Sequence, residues 1–253
     1  MNRIQLQSEK PLVTSPHKPT VGQAIVTTAR QAGQHCSFFA PLHYEQNYAY
    51  PLLIWLHGPN DDERQLQRVM PLVSMRNYVG VGPRGTCQAG QHGFAWGEAD
   101  ELLLSAEQRV FDSMHAASCK YNIARRRIFL AGFQEGGTLA FQIGLRHPDR
   151  FAGVLSLGGP FPLERAPLMR LDEVRDLPLF IAQGRDSAHY PIERTCDELR
   201  LFHAAGLSVT LRQYPCGDDL TTQMLHDMDC WLMELVTGQS SVDATADDAN
   251  DWN

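Results

Sequence analysis

The residues whose spacing most directly suggests chemistry are Gly132, Gln134 and Gly136. An apolar, strand-like run from Ile128 to Ala131 precedes them, and a helical pattern follows. This is the frame G-x-S-x-G, the nucleophile elbow, in which a serine is exposed on a strained backbone between a strand and a helix. The central residue here is Gln134, whose amide cannot form the ester intermediate that a serine forms. We therefore expect a strained, positive φ at Gln134 but no nucleophile.

Length and composition predict one large domain. The chain has 253 residues with ordinary amounts of glycine and proline, which is enough for a substantial buried core. Four aspartates among residues 238–253 account for more than half of the net charge of −7, so the rest of the chain is only mildly acidic. A mildly acidic body gives no electrostatic basis for binding nucleic acid. We expect residues 1–20 to form a polar arm, 21–237 a single α/β domain and 238–253 an acidic, disordered tail.

The cysteines and the hydropathy favour a reduced, cytoplasmic protein. The six cysteines are scattered without a C-x-x-C spacing, so they predict neither a zinc site nor a disulfide framework. Residues 1–20 contain no apolar segment typical of a signal peptide, and no apolar run approaches the ~18 residues that span a bilayer. We expect no membrane span, no cofactor and no metal ion.

Strand and helix patterns alternate along the chain. Strands are predicted at 37–42, 52–57, 78–81, 128–131, 151–157, 177–182 and 207–214, and helices at 63–73, 100–119, 192–205 and 220–236. The first two strands are predicted to be joined tightly, Asp62 to cap the first helix, and residues 83–96 to form a long functional loop. This alternation predicts a mainly parallel central sheet flanked by helices on both faces. Functional loops then gather at the carboxyl ends of the strands.

Several short motifs, in this order and spacing, resemble the phospholipase/carboxylesterase group of α/β-hydrolases, which includes the acyl-protein thioesterases and small bacterial carboxylesterases. The resemblance spans roughly residues 37–237. It implies the α/β-hydrolase fold and a mechanism in which a serine attacks, a histidine takes its proton and an aspartate orients the histidine. The motifs are Leu56-His-Gly, Gly82-Pro-Arg-Gly, the loop with Phe94 and Trp96, Gly132-Phe-x-x-Gly-Gly, Gly184-Arg-Asp-Ser-Ala-His-Tyr-Pro and Tyr214-Pro-Cys-Gly-Asp-Asp-Leu.

The resemblance places the catalytic positions on residues that lack the required chemistry. The serine position falls on Gln134, the histidine position on Asp218 and the aspartate position on Ser187, although Asp186 would serve as the acid if its loop shifted. The sequence therefore predicts a protein that is inactive by the serine mechanism and acts as a binding or regulatory pseudoenzyme. The alternative is a carboxylic-ester or thioester hydrolase with rearranged catalytic residues.

The oxyanion hole is also altered. In the family it uses two backbone N–H groups, whose positions here fall on Pro59 and Glu135. Proline has no backbone N–H, so one donor is absent whatever the side chains do. His57 and Gly58, which precede Pro59, are expected to border the pocket, with His57 as a structural hydrogen-bonding residue.

Five side chains around these positions have two interpretations each. Gln134 is either a binding residue at the mouth of a retained pocket or a relic whose amide bonds Asp218. Glu135 and Asp218 are either a carboxylate pair for acid–base chemistry or solvated or amide-paired acids. Phe94 and Trp96 either cover an apolar pocket or pack over the edge of the sheet. A retained pocket predicts a small apolar or acyl ligand, and the same apolar surface permits a homo-oligomer.

Two further groups of residues have both a reactive and an ordinary interpretation. His189 and Cys216 form either a replacement thiol–imidazole pair or an ordinary loop histidine and a packed cysteine, and proximity to the substituted positions is thin support for the former. His226, Asp227 and Asp229 are either metal ligands or part of a solvated helix face. Their spacing, which places them on different sides of one helix, favours the solvated face.

Overall fold

The structure, a computed structural model, describes residues 26–31, 34–91, 93–97, 99–163 and 170–238. The predicted arm and almost all of the predicted tail lie outside these residues. The strands are β1 (Val26–Gln31), β2 (Gln34–Phe39), β3 (Tyr50–Leu56), β4 (Val79–Pro83), β5 (Cys87–Ala89), β6 (Gly93–Ala95), β7 (Ile123–Phe133), β8 (Gly153–Leu157), β9 (Leu179–Gly184) and β10 (Val209–Tyr214). The helices are α1 (Gln65–Val73), α2 (Asp100–Lys120), α3 (Glu135–Arg146), α4 (Leu171–Val174), α5 (Ile192–Ala205) and α6 (Thr222–Thr237).

The described strands build an eight-stranded sheet in the order β1-β2-β4-β3-β7-β8-β9-β10. The six strands from β4 to β10 in this order are parallel, whereas β1 and β2 are added antiparallel at one edge. The mainly parallel α/β sheet predicted from the alternation of elements is confirmed. None of the described helices is long and apolar enough to cross a membrane.

The core lies on both faces of this sheet. Every residue of β3 is buried, and its side chains alternate between two clusters. Leu52 and Ile54 pack in the cluster that includes α2, α3 and α5, and Leu53 and Trp55 pack in the cluster that includes α1 and α6. The continuous apolar run of β3 is explained by this double coverage.

Three local predictions are wrong. The strands β2 and β3 are consecutive in sequence but not neighbours, because β4 lies between them and pairs antiparallel with β2 and parallel with β3. The predicted loop 83–96 contains a small antiparallel hairpin of β5 and β6. Asp62 does not cap α1, since its side chain accepts from the Arg64 N–H before the helix begins at Gln65 without a side-chain cap.

Glycines allow neighbouring backbone segments to approach one another closely at the carboxyl edge of the sheet. A Cβ atom on Gly132 would lie 2.3 Å from the Gly136 carbonyl, and one on Gly136 would lie 2.3 Å from the Leu56 carbonyl oxygen. Where β9 ends, a Cβ atom on Gly184 would lie 2.1 Å from the Gly217 carbonyl oxygen. Contacts this short exclude any side chain, so these glycines bring α3 against β3 and the loop after β9 against the loop after β10.

A matched pair of substitutions tests this constraint. Gly184→Ala would push the end of β9 away from the backbone of Gly217. We therefore expect it to lower the free energy of unfolding by about 2–4 kcal/mol. Gly217→Ala is the control, because its Cβ atom would meet nothing closer than 3.6 Å, and we expect a loss below about 1 kcal/mol. Equilibrium urea unfolding measures both. Equal losses for the two variants would contradict the packing described here.

Candidate active site

Gln134 is the residue between β7 and α3. Its backbone has φ 48° and ψ −114°, so the expected positive φ is confirmed. Its N–H donates to the Leu157 carbonyl, and its own carbonyl accepts from the Thr138 N–H. A Cβ atom on Gly159 would lie 2.2 Å from the Gln134 carbonyl oxygen, so the loop after β8 also packs against the turn. A non-glycine residue in this region costs about 1–3 kcal/mol and persists only where packing enforces it.

The three residues that the resemblance assigns to the triad positions, Gln134, Ser187 and Asp218, meet at this edge. The Gln134 Nε2 amide donates to the main-chain carbonyl of Asp218 at 2.9 Å. The Ser187 hydroxyl donates to the Asp218 carboxylate. The parallel topology predicted this convergence from three separate loops. The Gln134 amide therefore does bond Asp218, and the acceptor is the main-chain carbonyl of that residue.

The Asp218 carboxylate organises the turn after β9. Besides the Ser187 hydroxyl, it accepts from the backbone N–H groups of Ala188 at 3.3 Å and His189 at 3.1 Å. The Ser187 Oγ in turn accepts from the Tyr190 N–H at 2.8 Å. Burial raises the pKa of Asp218, but the hydrogen bonds from Ser187 and from these backbone groups outweigh burial and lower the pKa overall. The carboxylate is therefore ionised at neutral pH and already supplied with donors.

Asp186 is engaged with its neighbour Arg185. Its side chain is exposed, and its carboxylate is paired with the Arg185 guanidinium at 3.1 Å. Its backbone N–H donates to the Cys216 carbonyl, which fixes the residue in the loop contact made possible by Gly184. The loop shift that would make Asp186 the acid is not present in this structure.

The loop after β3 uses its polar groups for structure. The buried His57 donates from Nδ1–H to the Gly58 carbonyl at 2.8 Å, and its Nε2 accepts from the Gly85 N–H at 2.9 Å. Burial lowers the pKa of His57, so the ring is neutral and its tautomer is set by these two contacts. The Gly58 N–H donates to the Gln65 side chain at 3.2 Å. The Gly58 N–H is thus engaged and Pro59 has no N–H. Neither residue of this loop therefore supplies an N–H group to an oxyanion.

Trp96 and Phe94 pack against this loop. Trp96 is 2% exposed, and its indole N–H donates to the His57 carbonyl at 2.9 Å. The Phe94 ring lies under the Arg84 guanidinium, 4.7 Å from the ring centroid, and the Phe94 N–H donates to the Asp61 carbonyl. The interpretation that Trp96 covers an open apolar pocket is not supported, because its ring is itself buried in packing.

Other proposed reactive groups are apart or exposed. The side chain of Glu135 is exposed in the first turn of α3, where a negative charge is favourable for the helix dipole. His189 is exposed, whereas Cys216 is 6% exposed within the cluster that includes α1 and α6. An exposed imidazole and a buried thiol do not form the replacement pair that was considered.

The acids of α6 anchor the helix to the sheet. Asp227 accepts from the Tyr214 hydroxyl at 2.8 Å, and Asp229 accepts from the Tyr78 hydroxyl at 2.8 Å. The prediction of a solvated face is therefore wrong for these two residues, because each serves a partly buried tyrosine. Their neighbour His226 is exposed. In the described part of the chain, no group of three or more His, Cys, Asp or Glu residues is placed to hold a metal ion.

One polar network was missed from the sequence. Glu198 on α5 is fully buried, and it accepts from the Tyr190 hydroxyl, from the Phe161 N–H at 3.1 Å and from Arg194 at 3.0 Å. Burial raises the pKa of Glu198 despite these donors. The one signal in the sequence was the Arg194 and Glu198 pair, four residues apart on a helix, which is also common on exposed faces. The network ties the turn after β9 to the loop after β8.

This fold, with a strained turn between β7 and α3, is that of an α/β-hydrolase. A family model described as Phospholipase/Carboxylesterase matches residues 45–235, and the chain belongs to this family. Among its relatives is the acyl-protein thioesterase 1 homolog 2 of Dictyostelium discoideum, 27% identical over 109 residues, a match that covers 43% of this chain and only 49% of that protein. The probable carboxylesterase SOBER1-like of Arabidopsis thaliana is 22% identical over 79% of this chain and 84% of its own length.

Solved structures show the same fold. A carboxylesterase from Mesorhizobium loti superposes with a TM-score of 0.68 at 17% identity, covering 82% of this chain and 98% of that chain. The protein TT1662 from Thermus thermophilus superposes with a TM-score of 0.66, also at 17% identity, covering 84% of this chain and 98% of that chain. Identities this low support the shared architecture and leave the chemistry to be argued from the site itself.

The role of Asp218 predicts a pH-dependent contribution to stability. Asp218→Asn removes the charge that holds the turn, and solvent screening at this exposed group keeps the expected loss small, about 1 kcal/mol at pH 7. The pKa of Asp218 is lower in the folded protein than in the unfolded chain. Its contribution is therefore full above the unfolded value of about 3.9 and is lost as the pH falls through the folded value.

Urea unfolding of the parent and Asp218→Asn at pH 7 and near pH 3 measures this difference. The difference in unfolding free energy between the parent and Asp218→Asn is expected to be smaller at the lower pH. Asp186→Asn is the matched control, because Asp186 is exposed and serves no turn N–H groups, and we expect no resolvable change. A constant gap across this range would mean that the carboxylate does not hold the turn.

Proposed function

We propose that this member of the phospholipase/carboxylesterase family is inactive by the serine mechanism and acts as a binding or regulatory pseudoenzyme. The observation that carries the proposal is Gln134 in the strained elbow, with its amide bonded to the Asp218 main chain. The family's fold is kept, while the groups that would react are replaced.

Each chemical role in ester hydrolysis lacks its residue. An amide has no proton to lose and no ester to form, so Gln134 supplies no nucleophile. The Asp218 carboxylate is ionised and engaged with the Ser187 turn, so it offers neither an imidazole nor the control of its tautomer. Loss of one oxyanion donor elsewhere costs about 10²–10³-fold in rate, and Pro59 removes one here.

A rearranged hydrolase would need a different nucleophile. Ser187 is the hydroxyl beside the Asp218 carboxylate, but it is 7% exposed and donates to that carboxylate while it accepts from the Tyr190 N–H. To attack an acyl carbon it would have to leave both bonds and open the turn. This geometry supports a structural role for Ser187 over a catalytic one.

The ligand class is proposed from the family. Two relatives are named as an acyl-protein thioesterase homolog and a probable carboxylesterase, so a small apolar or acyl compound is the ligand that we propose for the region around Gln134. We also propose a cytoplasmic location, which is supported by six cysteines that form no disulfide in the described part of the chain. We propose further that an apolar surface of the same region permits a homo-oligomer.

Covalent labelling tests the loss of the nucleophile. A fluorophosphonate ester forms a stable adduct with an activated serine, so the parent protein is expected to show no mass increase. Intact-mass spectrometry after incubation with excess reagent is the measurement, with an active serine esterase treated in parallel as the positive control. A stoichiometric adduct on any serine would contradict the proposal.

Rebuilding the site tests whether only the reacting groups were lost. Gln134→Ser alone is expected to leave ester hydrolysis at background, because an unassisted hydroxyl is hardly ionised at neutral pH. Adding Asp218→His and Ser187→Asp restores the three roles at positions that already reach one another, so weak hydrolysis of short acyl esters is expected. Replacing Pro59 as well is expected to raise the rate by up to ~10²-fold, if the new N–H points to the oxyanion.

The measurement is the rate of hydrolysis of a chromogenic butyrate ester by the parent and by the single, triple and quadruple variants. A quadruple variant no faster than the parent, while still folded by circular dichroism, would show that the binding region itself has been lost. Parent activity that survives Gln134→Ala would show chemistry at another site. Either result is distinct from the gradual gain that the proposal expects.

A further inference from the structure

A concave site lies away from the elbow. A cavity of about 820 Å³ opens where α2 ends, β7 begins and α3 ends. The elbow is at the first residue of α3, and the cavity wall includes His147, which follows the last residue, so the two sites are separated by a helix of 12 residues, ~18 Å long. The volume is in the range of small-molecule sites, about 300–1,000 Å³.

One side of this cavity is apolar. Phe111, Met114 and Ile128 contribute side chains to its wall. The Phe111 ring is held by a stacked contact with Phe151, centroid to centroid 6.4 Å, and by an edge contact with His147 at 5.1 Å. This ordered aromatic surface is suited to an aromatic ring or a short apolar body.

The other side carries excess positive charge. The lining includes Arg125, Arg150 and Arg170 against a single acid, Asp149. Arg170 is already paired, with Glu173 and with Asp149. By contrast, Arg125 and Arg150 form no ion pair with any carboxylate in the described ranges.

The Arg150 guanidinium is positioned by a ring. It lies 5.5 Å from the centroid of Phe111, a cation–π contact that orders the group at the boundary between the apolar and charged sides. An arginine that stacks on a ring keeps its N–H groups available for a bidentate contact with a carboxylate or a phosphate. Arg125 is exposed at the start of β7 and faces the same cavity.

The two histidines of the wall have their own contacts. His147 Nε2 lies 2.9 Å from Glu107 Oε1, and His115 Nε2 lies 3.5 Å from the Cys119 thiol on the same helix. Glu107 does not line the cavity, and its carboxylate lies 3.4 Å from the Arg146 guanidinium as well as close to His147. Among the residues that the structure describes, Arg125 and Arg150 are therefore the lining cations without an acidic partner.

We propose that this cavity binds a small organic anion, a carboxylate or phosphate carried on an aromatic or short apolar body. The anionic group is held by Arg150 and Arg125, and the apolar body lies against Phe111 and Met114. The site is independent of the substituted triad, so its test does not depend on whether the elbow binds a ligand.

Isothermal titration calorimetry with three probes tests the chemistry. Phenyl phosphate and benzoate are expected to bind, and neutral benzyl alcohol is expected to bind at least about tenfold more weakly because it offers nothing to the guanidinium groups. Inorganic phosphate is expected to bind about tenfold more weakly than phenyl phosphate, since it lacks the body that packs on Phe111. Equal affinity of phenyl phosphate and inorganic phosphate, or no heat with either aromatic anion, would overturn the proposal.

Substitutions at exposed residues locate the binding site without destabilising the fold. Arg150→Gln and Arg125→Gln are each expected to weaken phenyl phosphate by about tenfold, and Arg76→Gln, an exposed arginine before β4, is expected to have no effect. Ser118→Glu adds a negative charge at the cavity wall and is expected to weaken the same probe, whereas Ser105→Glu changes an exposed serine of α2 outside the wall. Equal effects of the cavity variants and their controls would show that binding is not at this cavity.

Discussion

Backbone segments approach so closely at the carboxyl edge of the sheet that no side chain fits between them. At Gly136 a Cβ atom would lie 2.3 Å from the Leu56 carbonyl oxygen, and at Gly132 it would meet the carbonyl of Gly136. This approach presses α3 against β3 and β7, and it holds Gln134 at φ 48°. The strained turn costs about 1–3 kcal/mol, and tight packing from three directions is what maintains it. The strained turn is therefore a property of the packing and does not require a serine at its centre.

Gln134, Ser187 and Asp218 make structural hydrogen bonds at the edge where the resemblance leads one to expect reactive groups. The Ser187 hydroxyl donates to the Asp218 carboxylate, so this pair joins the loops that follow β9 and β10. The Asp218 charge is satisfied by the turn N–H groups, and the Gln134 amide joins the same loop. Family membership thus accounts for the architecture, whereas function must follow from the groups that occupy it.

Much of the architecture was predictable because it depends on local patterns. The apolar run of β3 and the glycine spacing around Gln134 are visible in the sequence, and parallel topology brings strand-end loops together. The neighbours of β2 and the hairpin within residues 83–96 were not predictable, since they depend on which segments pair across the chain. The buried Glu198 network was equally hidden, because burial of a charged residue is decided by tertiary packing and not by its local pattern.

Steady-state hydrolysis of p-nitrophenyl butyrate by the parent protein, compared with Gln134→Ala and with buffer, tests most directly whether the elbow has lost its chemistry. Both proteins should release nitrophenol at the rate of buffer, since Gln134 provides no nucleophile and Pro59 no second oxyanion donor. Saturable turnover by the parent that is abolished in Gln134→Ala would contradict this account, because it would place the reaction at the residue that is chemically unable to carry it.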